Sequence, residues 1–197
     1  SRCSLMTGLH NGHNRVRDNV PAEIWLRPDD VTVAEVLKQA GYKTGGIGKW
    51  SLGDPGSWGL PNYQGFDYWY GHLDQDQAHY YYSQYLWEND KEVLLRNRGG
   101  ENRFYVHDLF TKKALSFIDN NSENPFFLYL AYTIPHFSDY PKNSPERYIV
   151  PSDEPYSKND WPQMARNYAA MITRMDRDIG SVMERIKKHG LDSNTLV

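Results

Sequence analysis

The sequence has one cysteine, Cys3, so no internal disulfide can staple the chain. Its setting in CSLM suits a buried small hydrophobe better than a reactive thiol. Long apolar runs are also missing: mean hydropathy is −0.76, and no stretch approaches the roughly 18 apolar residues of a membrane-spanning helix. Neither sign of charge dominates, because 22 Lys and Arg stand against 25 Asp and Glu for a net −3. That balance offers no long-range attraction to nucleic acid or to an anionic lipid surface. Internal repeats and low-complexity tracts are absent. So are an initiator methionine and an apolar leader, and the opening Ser1 reads as a point partway through a motif. We expect further residues upstream, which leaves the cellular location open.

With 197 residues and 23.0 kDa the chain is long enough for one domain, since a chain of about 150 to 200 residues buries roughly 70% of its unfolded surface. TVAEVLKQAGY predicts a helix, with Thr32 and Glu35 as a capping box, Val33, Val36, Leu37 and Ala40 as its apolar face, and Gly41 as its stop. KTGGIGKW follows as a buried strand running into a loop at Gly48 and Lys49. Residues 51–100, rich in Gly, Pro, Asn, Asp and Tyr, read as a loop-rich, site-shaping insertion with one hairpin at YLWENDKEVLL. FYVHDLFTKKALSFIDNN has helical spacing through Val106, Leu109, Phe110, Ala114 and Phe117, and PFFLYLAYT is a continuously apolar strand of the kind covered on both faces. A Pro- and Ser-rich crossing leads to the longest helix, from about Trp161, whose stripe of Met164, Tyr168, Met171, Ile172, Met175, Ile179, Val182, Met183 and Ile186 reads as core. Arg174, Asp176, Arg177 and Asp178 read as its solvated, salt-bridged face. Lys187, Lys188 and His189 suit its C-terminal dipole, Gly190 ends it, and LDSNTLV reads as the start of a further strand. This alternation implies an α/β fold with a largely parallel sheet sandwiched by helices.

In such sheets ligands sit beyond the carboxyl ends of the strands. Lys49 and His136 each follow a strand, and Arg2 falls in the first turn of the helix formed by CSLMTG, so these three cations are expected to gather round one tetrahedral anion. In YGHLDQDQAHYYYSQYLW, the polar groups of Asp74, His79 and Tyr81 stand among aromatics near the same rim, as candidates for contacting sugar hydroxyls. Asn14, Arg15, Arg17 and Asp18 are expected to buttress the first helix.

Three blocks carry a resemblance to a known family. SRCSLMTG is similar to the second half of the sulfatase signature, Cys-x-Pro-Ser-Arg followed by a helix ending in Thr-Gly. GIGKWSLG resembles that family's Gly-Lys-Trp-His-Leu-Gly block, and TIPH resembles its third active-site block. With NYAAMITRMDRDIG and LDSNTLV they span nearly the whole chain, which thereby resembles the formylglycine-dependent sulfatases of the alkaline phosphatase superfamily. The resemblance implies an alkaline phosphatase-like α/β fold, incomplete here, with residues 1–197 as a partial catalytic domain.

It further implies hydrolysis of a sulfate ester of a carbohydrate or aryl alcohol. Arg2 would hold the formylglycine, Lys49 would bind a sulfate oxygen, and His136 would give a proton to the leaving alcohol. The formylglycine would come from a cysteine three places before Ser1, a position that Cys3 does not match, and a maturation enzyme would be a partner. Calcium would be held by acids upstream of Ser1 and by an Asp-Asn pair beyond Val197, so no metal ligand is expected within the chain and the chain alone is expected to be inactive. A periplasmic or secreted location follows from the same resemblance. Ser51 departs from the family's histidine in the second block, removing the usual base. A phosphonate monoester hydrolase or phosphodiesterase of the same superfamily and a non-catalytic carbohydrate-binding relative remain as alternatives.

Overall fold

Strand β1 (Lys43–Lys49) lies between two parallel neighbours, β2 (Tyr68–His72) and β5 (Phe126–Ala131). The computed structural model describes residues 1–18, 24–97, 101–139 and 147–197. Gly45 stands opposite Tyr68 and Lys49 opposite His72 on one side, while Lys43 stands opposite Phe126 on the other. Strands β3 (Tyr85–Glu88) and β4 (Lys91–Leu94) form the expected hairpin, turning at Asn89 with φ 56°, and extend the sheet antiparallel from β2. The order is β4-β3-β2-β1-β5, a mixed sheet with a parallel centre.

Helices α1 (Arg2–Thr7) and α2 (Val33–Gln39) cover one face, over a core that includes Met6, Ala34, Trp50, Phe66 and Trp69. Helices α3 (Val106–Asn121) and α4 (Gln163–Lys188) cover the other, over Ile47, Tyr70, Phe110, Phe117 and Met171. Each of these large apolar side chains contributes about 1.5–3 kcal/mol by leaving water, so two such clusters suffice without a disulfide. Among the described residues no helix is long and apolar enough to cross a membrane.

The capping box of α2 forms as expected: Glu35 N–H donates to Thr32 Oγ1 at 3.2 Å, and Thr32 N–H donates to Glu35 Oε2 at 2.8 Å. Its buried residue, however, is Ala34, and Val36 is exposed. The loop ending at Gly65 presses on the helix N-terminus, where Thr32 Oγ1 donates to the buried Gln64 carbonyl at 2.8 Å, and only a small side chain fits beneath.

Four further expectations are corrected. The segment 51–100 is more than an insertion, because it feeds β2 into the sheet beside β1; its residues 98–100, like residues 140–146 of the Pro- and Ser-rich crossing, lie outside the described residues. Strand β5 is half-buried at all six positions, being the outermost strand among the described residues. Helix α4 buries Ala170, Met171 and Ile186 against its neighbours, but Met164, Tyr168, Ile172, Ile179 and Met183 stay 38–47% exposed, since α3 covers only one side of it. LDSNTLV forms a short 3-10 turn at Asp192–Asn194, and no described strand pairs with Thr195 to Val197.

Asp178 belongs to the interior and not to a solvated face. Its Oδ2 lies 3.0 Å from Nε2 of the fully buried His107 and accepts a 3.1 Å bond from Thr111 Oγ1, tying α4 to α3. Burial alone would raise its carboxyl, but hydrogen bonds and charge from His107 and Arg177 outweigh that and hold it at about 2. A carboxyl whose folded value lies below its unfolded one stabilises the fold above the unfolded value, and that contribution is lost as pH falls through about 2. We therefore expect Asp178→Ala to lower unfolding free energy by about 3 kcal/mol in denaturant titrations near neutral pH. The gap between variant and wild type should shrink from roughly pH 4 down to about 2, as Asp178 takes up its proton first in the unfolded and then in the folded chain.

Candidate active site

The carboxyl ends of β2, β1 and β5 close together through backbone contact. Gly48 has φ 114°, and a Cβ there would stand 2.0 Å from the Ala131 carbonyl oxygen; a Cβ at Gly71 would stand 1.9 Å from the Gly48 oxygen. Only glycine permits both the left-handed backbone at Gly48 and this approach. Pairing continues past the strands, with Trp50 N–H donating to the His72 carbonyl and Ser51 N–H to the Leu73 carbonyl, both at 2.9 Å. Trp50 is fully buried, its indole N–H donating to the Gly59 carbonyl at 2.7 Å.

The same Trp50 carries the first functional side chain. Arg2 Nε donates to the Trp50 carbonyl at 2.6 Å and Arg2 Nη2 to Gln75 Oε1 at 3.1 Å, using two of the five N–H groups of the guanidinium and fixing its plane. Asn14, buried beneath α1, bonds Ser4, Thr7 and the Leu9 carbonyl, so the short helix is buttressed as expected. Cys3 is buried on α1, and burial pushes its thiol up.

Arg2, Lys49, Ser51, Gln75 and His136 line one pocket of about 360 Å³, with Arg17 and Asp18 also on its wall. The three cations expected to gather at the rim thus share a cavity. A roomier depression of about 530 Å³, between α3 and the amino ends of β1 and β2, mixes Lys43, Lys112 and Lys113 with Asp67 and Glu88, and its Lys113 is bonded to Glu88. Burial, then the charge of Arg2, lowers the Lys49 ammonium from its ordinary 10.5 to about 8, against the opposing pull of Asp74, Asp76 and Asp139. His136 is exposed, and its Nδ1 lies 2.7 Å from the Phe137 carbonyl. A carbonyl can only accept, so Nδ1 bears the proton in that bond and Nε2 is the nitrogen left for chemistry. Ser51 is held at φ 58°, and its buried hydroxyl oxygen has no hydrogen-bond partner among the described residues, so its bonding capacity is unmet beside the pocket.

The remaining sequence candidates lie elsewhere. Asp74 is exposed and its Oδ1 accepts from Gln77 N–H at 2.7 Å, capping a turn. Tyr81 is 1% exposed, and its hydroxyl donates to the His136 carbonyl, leaving no surface for a sugar. His79 is 8% exposed and packs against the His136 ring. Gln75 and the pocket-lining position of Asp18 are the site features that sequence reasoning missed. Gln75 follows the carboxyl end of β2, and seeing a parallel strand in YWYGH would have pointed to it. Among the described residues no group of three His, Cys, Asp or Glu could hold a metal ion. The pocket's charged side chains, Arg2, Arg17 and Lys49 against Asp18, suit an anion.

A lysine whose folded value lies below its unfolded one destabilises the fold while protonated, and this cost fades as pH rises through about 8. Lys49→Met should accordingly raise the melting temperature at pH 7 by a few degrees, about 1 kcal/mol after allowance for solvent screening. The same change should abolish binding of inorganic sulfate in calorimetric titrations, and wild-type affinity should decline above about pH 8.

Residues 1–197 match the Sulfatase family throughout. The uncharacterized sulfatase YdeN of Escherichia coli K12 is 27% identical over 222 residues, a match covering 100% of this chain and 37% of that protein. The N-acetylglucosamine-6-O-sulfatase of Bacteroides thetaiotaomicron is 31% identical over 69% of this chain and 22% of its own length. Among solved structures, Ps i-CgsB in complex with k-i-k-neocarrahexaose superposes with a TM-score of 0.74 at 29% identity, over 96% of this chain and 44% of that one. The chain therefore spans well under half the length of these relatives, and its mixed sheet between helices is part of their alkaline phosphatase-like fold. From its first residue to its last, this chain belongs to the sulfatase family.

Proposed function

We propose that the full-length protein is a sulfuric ester hydrolase and that the pocket of Arg2, Lys49 and His136 binds the sulfate group. The convergence of these three cationic or protonatable side chains on one cavity supports the reading. Arg2, locked by Trp50 and Gln75, and Lys49, partly desolvated, meet sulfate oxygens without reorganising, which is the arrangement that stabilises charge developing on the transferred group. The Ser51 hydroxyl adds a hydrogen bond to the same group. His136, with Nδ1 committed to Phe137, presents Nε2 to the bridging oxygen and protonates the departing alcohol. Orientation and charge stabilisation thus come from the chain's own residues.

The sulfatase resemblance also brings a calcium ion, which polarises the sulfate when bound, and a formylglycine. Neither fits the residues present: the pocket sets Arg2, Arg17 and Lys49 against the single acid Asp18, and Cys3, though on its wall, follows Ser1 where the signature's cysteine would precede it. We assign both to residues outside this chain, with a maturation enzyme forming the aldehyde. A sulfated carbohydrate is the substrate class we favour, because one relative is named an N-acetylglucosamine-6-O-sulfatase and a neighbouring structure holds k-i-k-neocarrahexaose.

The test is steady-state kinetics of the full-length protein on sulfated sugars, aryl sulfates and matched phosphate esters. We expect sulfate esters to be preferred, and Arg2→Ala, Lys49→Ala and His136→Ala each to lower kcat/KM by about a hundredfold or more. Faster turnover of phosphate diesters, or wild-type rates in all three variants, would overturn the assignment.

A further inference from the structure

We propose that His79 is a positioning residue, holding the His136 imidazole in the orientation that delivers its proton; this rests on reading the pocket as a sulfatase site. His136 needs lateral support, because it is exposed and follows the end of β5 on a loop. On one side its ring meets Phe137, centroids 4.5 Å apart. It also meets His79, 57 residues earlier in the chain, with centroids 5.1 Å apart and planes at 81°. That edge-to-face geometry is the favoured one for ring pairs and resists rotation about the side-chain bonds.

His79 is itself held. It is 8% exposed and its carbonyl accepts from the buried Ser138 Oγ at 2.8 Å, while its Nδ1 makes no hydrogen bond among the described residues and lies 3.4 Å from Asp139 Oδ2. Two residues on, the Tyr81 hydroxyl donates to the His136 carbonyl, while Tyr81's own carbonyl accepts from Val106 N–H at 2.9 Å at the start of α3. Residues 79–81 therefore grip residues 136–138 through one ring contact and two hydrogen bonds, and connect that loop to the core. Burial, then the nearby Lys49 charge, keeps the His79 imidazole below its ordinary value, which favours a neutral ring beside His136. A direct contact between His79 and substrate fits less well, since the ring does not line the pocket that holds Arg2, Lys49 and His136.

The experiment uses the full-length protein, its His79→Ala and His79→Phe variants, and two aryl sulfates whose leaving groups differ in basicity. A displaced proton donor predicts that His79→Ala lowers kcat about ten- to a hundredfold while KM stays within roughly twofold. The loss should be larger for phenyl sulfate than for 4-nitrophenyl sulfate, whose phenolate leaves without a proton. His79→Phe, which keeps a ring against His136, should restore most of kcat. Long-range proton–nitrogen spectra, recorded at high pH on the neutral ring that remains once Nε2 has given up its proton, should show the remaining proton on Nδ1 in the wild type and in His79→Phe, and a tautomer mixture in His79→Ala. Assays run below each variant's melting transition separate these effects from unfolding. A rise in KM with kcat unchanged, equal losses on the two esters, or an unaltered His136 spectrum in His79→Ala would overturn the proposal. A wild type inert toward every sulfate ester would instead sink the sulfatase reading, and the ring spectra would still decide the role of His79.

Discussion

Parallel pairing of β1 with β2 and β5 at once is the constraint on which the rest of this structure depends. It brings three carboxyl ends to one rim, and the rim is where Lys49, the Ser51 turn, Gln75 and the His136 loop all begin. The pairing is close because Gly48 and Gly71 have no side chains to part the backbones. Arg2 comes from a different element, yet it depends on the same pairing, since its anchor is the carbonyl of Trp50, the residue that carries the β1–β2 ladder past Lys49. A shift of the ladder by one residue would turn Trp50 out of the core and take the guanidinium with it.

The site holds like charges together before any ligand arrives. Burial, and then the charge of Arg2, disfavours the charged form of Lys49. The carboxylates that offset it, Asp74, Asp76 and Asp139, act on Lys49 through the field and line no part of the pocket. The cavity wall keeps an excess of positive charge, Arg2, Arg17 and Lys49 against Asp18, which an incoming anion offsets.

Much of this was legible in the primary structure where the determinants are local. The capping box of α2, the β3–β4 hairpin, the apolar spacing of α3 and the burial of Cys3 depend on near neighbours and matched expectation. The rim positions of Lys49 and His136 followed from reading a strand up to each, although Lys49 proves to be the last residue of β1 and His136 stands in the loop beyond β5. What stayed hidden depends on distant partners. YWYGH is short and is bounded by loop residues, so although its aromatics favour a strand nothing local marks it as a central one until β1 pairs with it. Asp178 has the composition of a solvated helix face, and only His107, far away in the chain, explains its burial. Tyr81 and His79 sit among aromatics as sugar-reading residues would, and their contacts with the His136 loop arise from packing that no local pattern encodes.

The outer edge of β5, which no strand among the described residues pairs, and the apolar ridge along α4 also bear on how the segment behaves in solution. FFLYLA offers unused N–H and C=O groups to any strand that meets it, and Met164, Tyr168, Ile172, Ile179 and Met183 present a greasy band nearby in sequence order. Together they are the surfaces through which concentrated samples of this segment are expected to associate.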